Sequence, residues 1–170
     1  NASRLGGAIC NNGSCSVDNS LIVGNFCEEA AGALYSAGGY LALINNTITQ
    51  NKAGVVGGVY IQSDASSNNV GSNNIIWGNR DVNGNHFQIR IASDSDSWNG
   101  SYNCIEDIGS SLGGEGNIDL NPRFVNEFGG DGEPGTGDED FHILQQSPCI
   151  DAGDNGVVYV SDGVHFLLVA

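Results

Sequence analysis

Basic residues are scarce in this chain. Its 170 residues include five Lys and Arg against 20 Asp and Glu, which gives a formal net charge of −15. A surface this acidic repels nucleic-acid backbones and anionic lipid headgroups, so the composition argues against both as partners. Cationic partners or Ca²⁺ suit the charge better. The alternative is that the surface acid only keeps the chain soluble.

Strong helix formers and long apolar runs are also in short supply. The chain has no Met, 26 Gly and frequent Asn-Gly and Asn-Asn steps, which favour turns over helices. The apolar stretch at residues 164–170 is too short to span a bilayer, so we expect no membrane span. The chain begins without Met or a signal peptide, and we interpret it as a processed or excised segment.

What the chain does contain is a repeat of 26 to 28 residues. A repeat of this length cannot bury its own apolar face and must stack on its neighbours. Two columns share the period, with each polar residue two positions before an isoleucine. The isoleucines are Ile22, Ile48, Ile76 and Ile105, and the polar residues are Ser20, Asn46, Asn74 and Asn103.

Apolar residues alternate within each repeat, as at Cys15 and Val17 and again at Leu41 and Leu43. This two-residue period is typical of half-buried strands. We therefore predict an all-β fold, a parallel β-helix with coils of about 26–29 residues and a buried isoleucine ladder. The residue before each isoleucine should face outward; these residues are Leu21, Thr47, Ile75 and Cys104.

We expect one domain over residues 1–170, with stacked coils over 6–108 and a loop-rich region over 109–170. Four runs in the second half carry a resemblance. They are Gly-Glu-Gly-Asn-Ile-Asp at 114–119, Asn-Pro-Arg-Phe-Val at 121–125, Asp-Phe-His-Ile-Leu at 140–144 and Ser-Pro-Cys-Ile-Asp-Ala-Gly-Asp at 147–154.

These runs resemble the C-terminal part of right-handed parallel β-helix repeat proteins that bacteria secrete. The coils are also similar to the repeats of polymorphic outer-membrane proteins, with Ile in place of Phe. The resemblance implies a right-handed parallel β-helix and an extracellular or cell-surface location. The chain departs from this pattern after Asn155, where an apolar segment follows.

The five cysteines contain no Cys-x-x-Cys spacing, and the three histidines are scattered, so a zinc site is not indicated. In a secreted chain, cysteines indicate disulfides. We expect Cys104 and Cys149, which both lie in the region that carries the resemblance, to pair. Pairing among Cys10, Cys15 and Cys27 is left open.

Acidic residues crowd among five glycines between positions 129 and 140. Hard cations need several oxygen ligands on a backbone that turns sharply, which glycine permits. The sequence therefore predicts a structural Ca²⁺ site, although the spacing is not that of an EF-hand. A solvated acidic loop is the alternative. The predicted ligands are Asp131, Glu133, Asp138 and Asp140.

Aromatic side chains indicate a binding role. Trp77 should point outward by alternation from Ile76, and we predict that Trp77, Trp98 and Tyr102 contact a ligand. The sequence favours a non-catalytic module that binds a polysaccharide or a surface protein. Self-association end to end is a further class of partner that a solenoid allows.

An enzyme is the main alternative, because polysaccharide lyases and hydrolases also use parallel β-helices. Their signatures are missing, and Asp94 and Asp96 beside Arg90 are the best remaining catalytic candidates. Fold alone does not assign a reaction. A purely structural spacer of a larger surface protein is the other alternative.

Overall fold

A computed structural model of the chain describes residues 2–62, 68–92, 97–109, 112–156, 158–161 and 164–167. These residues form an all-β structure with one short helix, α1 (Ala2–Leu5). Among them there is no helix of the length and hydrophobicity that a membrane crossing requires. The predicted fold class is confirmed, since the strands stack as a parallel β-solenoid of about three turns.

Three sets of four strands are followed by a set of three. The first coil contains β1 (Ile9–Asn11), β2 (Cys15–Asp18), β3 (Leu21–Val23) and β4 (Phe26–Cys27). The second contains β5 (Leu34–Ser36), β6 (Leu41–Ile44), β7 (Thr47–Thr49) and β8 (Lys52–Ala53). The third contains β9 (Val59–Ile61), β10 (Asn68–Ser72), β11 (Ile75–Trp77) and β12 (Arg80–Asp81). The last contains β13 (Ile89–Ile91), β14 (Ser97–Ser101) and β15 (Cys104–Ile105).

Equivalent strands of successive coils pair in parallel and form four sheets: β1-β5-β9-β13, β2-β6-β10-β14, β3-β7-β11-β15 and β4-β8-β12. In the third of these sheets Ile22 pairs with Ile48, Ile48 with Ile76, and Ile76 with Ile105. All four side chains are buried. The predicted isoleucine ladder and its register are therefore confirmed.

A column of buried amides runs beside this ladder. The backbone N–H of Ser20 donates to Asn46 Oδ1 at 3.0 Å, and the same bond links Asn46 to Asn74, Asn74 to Asn103 and Asn103 to Asn117. Each asparagine Nδ2 also donates to a backbone carbonyl of the preceding coil. The amides thus satisfy turn backbone groups that strand pairing leaves free.

The residue before each of Ser20, Asn46, Asn74 and Asn103 has a left-handed backbone. Asn19, Asn45, Asn73 and Tyr102 all have positive φ, from 49° to 57°. Asparagine tolerates this conformation better than most residues. In the Asn-Asn pairs at 45–46 and 73–74, the first residue therefore makes the turn and the second belongs to the amide column.

A second amide column follows the third sheet. Asn25 N–H donates to Asn51 Oδ1 and Asn51 N–H donates to Asn79 Oδ1, both at 3.0 Å. Asn79 N–H donates to Gln88 Oε1 at 3.2 Å, and Gln88 Nε2 donates to Glu106 Oε2 at 2.8 Å. This column therefore ends on a carboxylate.

The terminal segment, residues 118–156, folds back along the outer face of the β3-β7-β11-β15 sheet. It contains the antiparallel strands β16 (Phe124–Asn126) and β17 (Asp140–Ile143). Gln50 Nε2 donates to Glu127 O at 2.6 Å, and Asn73 exchanges two bonds with the backbone of Asp154. Gly135 packs so closely that a Cβ on Gly24 would lie 2.6 Å from its Cα.

The terminal segment lies against the residues that precede the isoleucines in the β3-β7-β11-β15 sheet. Leu21, Thr47, Ile75 and Cys104 are in register on the outer face, as predicted. The last part of the chain forms a separate antiparallel hairpin of β18 (Val158–Ser161) and β19 (Val164–Leu167).

The first amide column should be essential for stability. Asn74→Leu leaves the Asn46 N–H and the Leu43 carbonyl without their partners, so we expect a loss of roughly 3 kcal/mol in the free energy of unfolding. Urea unfolding measures it. Asn12→Leu is the control, because Asn12 is exposed in the turn between β1 and β2. Equal urea midpoints for the two variants would contradict the structural role of the column.

Candidate ligand-binding groove

A cavity of about 340 Å³ lies between the third sheet and the terminal segment. We call it the Trp77 groove. The solenoid supplies one side and the terminal segment the other. The solenoid residues are Gln50, Asn51, Lys52, Trp77, Gly78, Arg80 and Glu106; those of the terminal segment are Asn121, Glu127, Phe128 and Pro134.

Trp77 reaches this groove for a local reason. It is the last residue of β11, and its neighbour Ile76 points into the core, so strand alternation turns the indole outward. Gly78 follows with φ of 70°, which turns the chain toward β12. The indole remains partly exposed, as the sequence predicted.

Two of the five basic residues line the groove. Lys52 and Arg80 are register partners of β8 and β12, so they are neighbours on one face. Two carboxylates, Glu106 and Glu127, line the same cavity. The formal charges of the groove therefore balance, although the chain carries −15.

Glu106 is the most constrained charged group in the groove, with a side chain only 12% exposed. Its Oε2 accepts hydrogen bonds from Gly78 N–H and Gln88 Nε2, both at 2.8 Å. Its Oε1 lies 2.5 Å from His86 Nδ1. The other ring nitrogen of that histidine, Nε2, contacts Arg80 Nη1. A continuous hydrogen-bonded path thus joins Arg80 to the second amide column.

Trp98, a predicted ligand contact, does not reach the groove. It is 6% exposed and belongs to the hydrophobic core. A Cβ on Gly71 or Gly100 would lie 2.2 Å or 2.0 Å from the indole, which shows that the ring fills the space that side chains there would occupy. Trp98 is therefore a core residue, and its Nε1 has no hydrogen-bond partner among the described residues.

Tyr102 lies elsewhere. Its ring packs against Gly116, and it lines a separate cleft of about 130 Å³. Cys104 and Cys149 line the same cleft. The sequence-predicted aromatic set is thus divided among the groove, the core and this cleft.

Cys104 and Cys149 both line this cleft, but they are thiols in the structure and do not form the predicted disulfide there. Cys104 Sγ donates to the Leu120 carbonyl at 3.2 Å, and its thiol lies close enough to that of Cys149 to affect its ionisation. The Cys104 thiol, with help from Ser147 and against the effect of burial, lowers the pKa of Cys149 to about 7. The proximity of Cys149, together with burial, raises the pKa of Cys104. Cys149 therefore ionises first and is the better nucleophile.

The carboxylates of the acidic loop accept hydrogen bonds from backbone N–H groups of the same loop. Glu139 accepts hydrogen bonds from the backbone N–H groups of Gly135, Thr136 and Gly137. Asp138 Oδ2 accepts from Gly130 N–H at 2.7 Å. These bonds link each carboxylate to the turns of its own loop.

The predicted calcium ligands do not converge in the structure. Asp131 and Asp140 each accept from a backbone N–H two residues later, in Glu133 and His142. Within the described part of the chain no group of three or more His, Cys, Asp or Glu side chains could hold a metal ion. Structural Ca²⁺ binding stays a prediction.

A larger and more open depression of about 720 Å³ borders the first two coils, lined in part by Leu21, Phe141 and His142. It contains no Lys or Arg, and both of its carboxylates, on Glu139 and Asp140, already accept backbone N–H groups of the loop. The Trp77 groove is the stronger candidate, because it joins an indole with charges of both signs.

The catalytic candidates Asp94 and Asp96 lie outside the described residues. Their sequence neighbour Arg90 is exposed, and its guanidinium lies 5.5 Å from the centre of the Tyr60 ring. This is a cation–π contact.

Comparison with known proteins found no matching family model, no matching curated protein and no matching solved structure. The functional inference therefore depends on the geometry of the groove.

The loop should loosen in acid. Hydrogen bonds from Gly130 N–H and the Thr136 hydroxyl lower the pKa of Asp138 below its usual 3.8. A pKa that is lower in the folded state stabilises the loop above pH 3.8, and the effect is lost as the pH falls through the folded value. The amide proton of Gly130 should titrate by NMR with a midpoint below 3.8.

The Asp138→Asn variant is the control for this titration, and it should remove the transition at Gly130. A midpoint at or above 3.8 in the unmodified protein would show that the hydrogen bond does not stabilise the ionised carboxylate.

Proposed function

We propose that the chain is a non-catalytic β-solenoid module that binds carbohydrate in the Trp77 groove. The observation that carries the proposal is the combination of a partly exposed indole with charged and amide side chains around one cavity of about 340 Å³. Small-molecule sites commonly have volumes of this order and a few well-positioned polar groups.

The chemistry of the groove suits a sugar ring. The C–H face of a pyranose can pack on the flat indole of Trp77, as apolar surfaces pack on aromatic rings. Its hydroxyl groups can pair with Glu127, the guanidinium of Arg80 and the amide of Asn121. Because Lys52 and Arg80 balance Glu106 and Glu127, a neutral saccharide suits the groove better than a strongly charged one.

A non-catalytic role fits the state of Glu106. Glycoside hydrolysis needs one carboxyl group that donates a proton and a second that acts as base or nucleophile. Both oxygens of Glu106 are engaged, by Gly78 and Gln88 on one side and by His86 on the other. This carboxylate is built to hold its neighbours in position.

The resemblance to secreted bacterial β-helix proteins supports an extracellular or cell-surface location for the module. Such compartments are oxidising and allow disulfides to form. The contact between Cys104 and Cys149 is consistent with that setting.

We predict that Cys104 and Cys149 form a disulfide when the protein is oxidised. The bond would tie β15 to the terminal segment and stabilise the fold by about 4 kcal/mol in the loop-entropy treatment. Peptide mapping without reduction detects it, and the exposed Cys10 serves as a reactive thiol for comparison. Alkylation of both Cys104 and Cys149 in the oxidised native protein would contradict the pairing.

The carbohydrate proposal is tested on an array of neutral oligosaccharides. Trp77→Ala should weaken binding, because it removes the surface on which the sugar ring stacks. We expect a loss of about tenfold in affinity, which corresponds to an interaction of about 1.4 kcal/mol.

Phe26→Ala is the matched control, since Phe26 is an exposed aromatic residue of β4 outside the groove. It should bind like the unmodified protein. Equal losses in both variants, or undiminished binding by Trp77→Ala, would contradict the proposal. Release of soluble sugar from the array would instead favour an enzyme.

A further inference from the structure

We infer that His86 positions the guanidinium of Arg80 at the Trp77 groove and releases it when the imidazole is protonated. The part of this inference that concerns ligand binding rests on the proposed function. The positioning itself concerns only residues of this chain.

The neighbours of His86 determine its tautomer. Arg80 Nη1 can only donate a hydrogen bond, so Nε2 of the His86 ring must accept it. Glu106 Oε1, 2.5 Å from Nδ1, accepts the remaining ring proton. The neutral imidazole with its proton on Nδ1 satisfies both contacts, and the other tautomer satisfies neither.

Protonation removes one of these contacts. A proton on Nε2 would point at the Arg80 guanidinium, so the hydrogen bond would be replaced by repulsion between two cations. The charged ring would still be held by Glu106, and Asp107 Oδ2 lies 3.8 Å from Nδ1. Arg80 is therefore the group that moves.

The remaining charges nearby do not compensate for this loss. Lys52, the register partner of Arg80, is a cation and adds to the repulsion. Asp81 follows Arg80, but its carboxylate accepts hydrogen bonds from Asn83 and Asn85. His86 is 36% exposed, so solvent protons have access to it.

The change should be confined to the Arg80 side chain. The Arg80 backbone N–H donates to Asn51 O at 3.0 Å, and Gly78 and Gln88 hold Glu106 without help from His86. The amide columns therefore stay intact while the guanidinium leaves the groove. A ligand that pairs with Arg80 should then bind more weakly in acid.

NMR of the ligand-free protein tests the positioning. In its neutral form the His86 ring should carry its proton on Nδ1 with Nε2 bare, and in its charged form both nitrogens carry a proton. The guanidinium signals of Arg80 should shift with the same midpoint. A neutral ring with its proton on Nε2, or Arg80 signals that do not change when the ring is protonated, would overturn the inference.

Binding to the neutral oligosaccharide array, at one pH where NMR finds the His86 ring neutral and one where NMR finds it protonated, tests the consequence. The unmodified protein should bind about tenfold more weakly when the His86 ring is protonated, the scale of one charge-assisted hydrogen bond. His86→Gln can accept from Arg80 and donate to Glu106 without titrating, so its affinity should be the same at both values. His142→Gln, which alters a histidine outside the groove, should keep the pH dependence.

A His86→Gln variant that keeps the pH dependence of the unmodified protein would overturn the inference. If the array captures no protein at either pH, the proposed function fails, and the NMR titration alone decides whether His86 positions Arg80.

Discussion

The two columns of buried amides are the constraint on which the rest of the structure depends. At each turn of the solenoid the backbone leaves the sheets, and its N–H and C=O groups would be buried without partners. An asparagine at the same place in each coil accepts one N–H and donates to one carbonyl of the coil before it. This fixes the register between coils, which in turn points each isoleucine inward and Trp77 outward.

Much of this scaffold could be predicted from the sequence, because residues that pair between successive coils recur at a nearly constant spacing along the chain. Ile48 and Asn46 recur at this spacing as Ile76 and Asn74. In the structure Ile48 pairs with Ile76, and the Asn46 N–H donates to Asn74 Oδ1. The repeated asparagine indicates a turn that tolerates left-handed backbone, but the left-handed conformation belongs to the residue before it, which the period does not show. Trp98 is predicted to contact a ligand because it is aromatic, and its burial was missed because the space for its ring depends on Gly71 of the neighbouring coil as well as on Gly100.

The groove could not be predicted, because its second side is formed by the terminal segment, which is far in sequence from the coils that form the first side. Gln50 and Glu127 are 77 positions apart, and no period relates them. The end of the second amide column was equally hidden, since Gln88 follows Asn79 by only nine residues. In the acidic loop the sequence shows that carboxylates are dense. It does not show that backbone N–H groups already donate hydrogen bonds to them, as they do to Glu139.

The central claim is that the scaffold presents Trp77 to a saccharide while it buries Trp98. The chain has two tryptophans, so an NMR spectrum should contain two indole N–H signals. When the neutral oligosaccharide that the array identifies is added, the Trp77 signal should shift and the Trp98 signal should not. A saccharide that binds while the Trp77 signal stays unchanged would contradict the account.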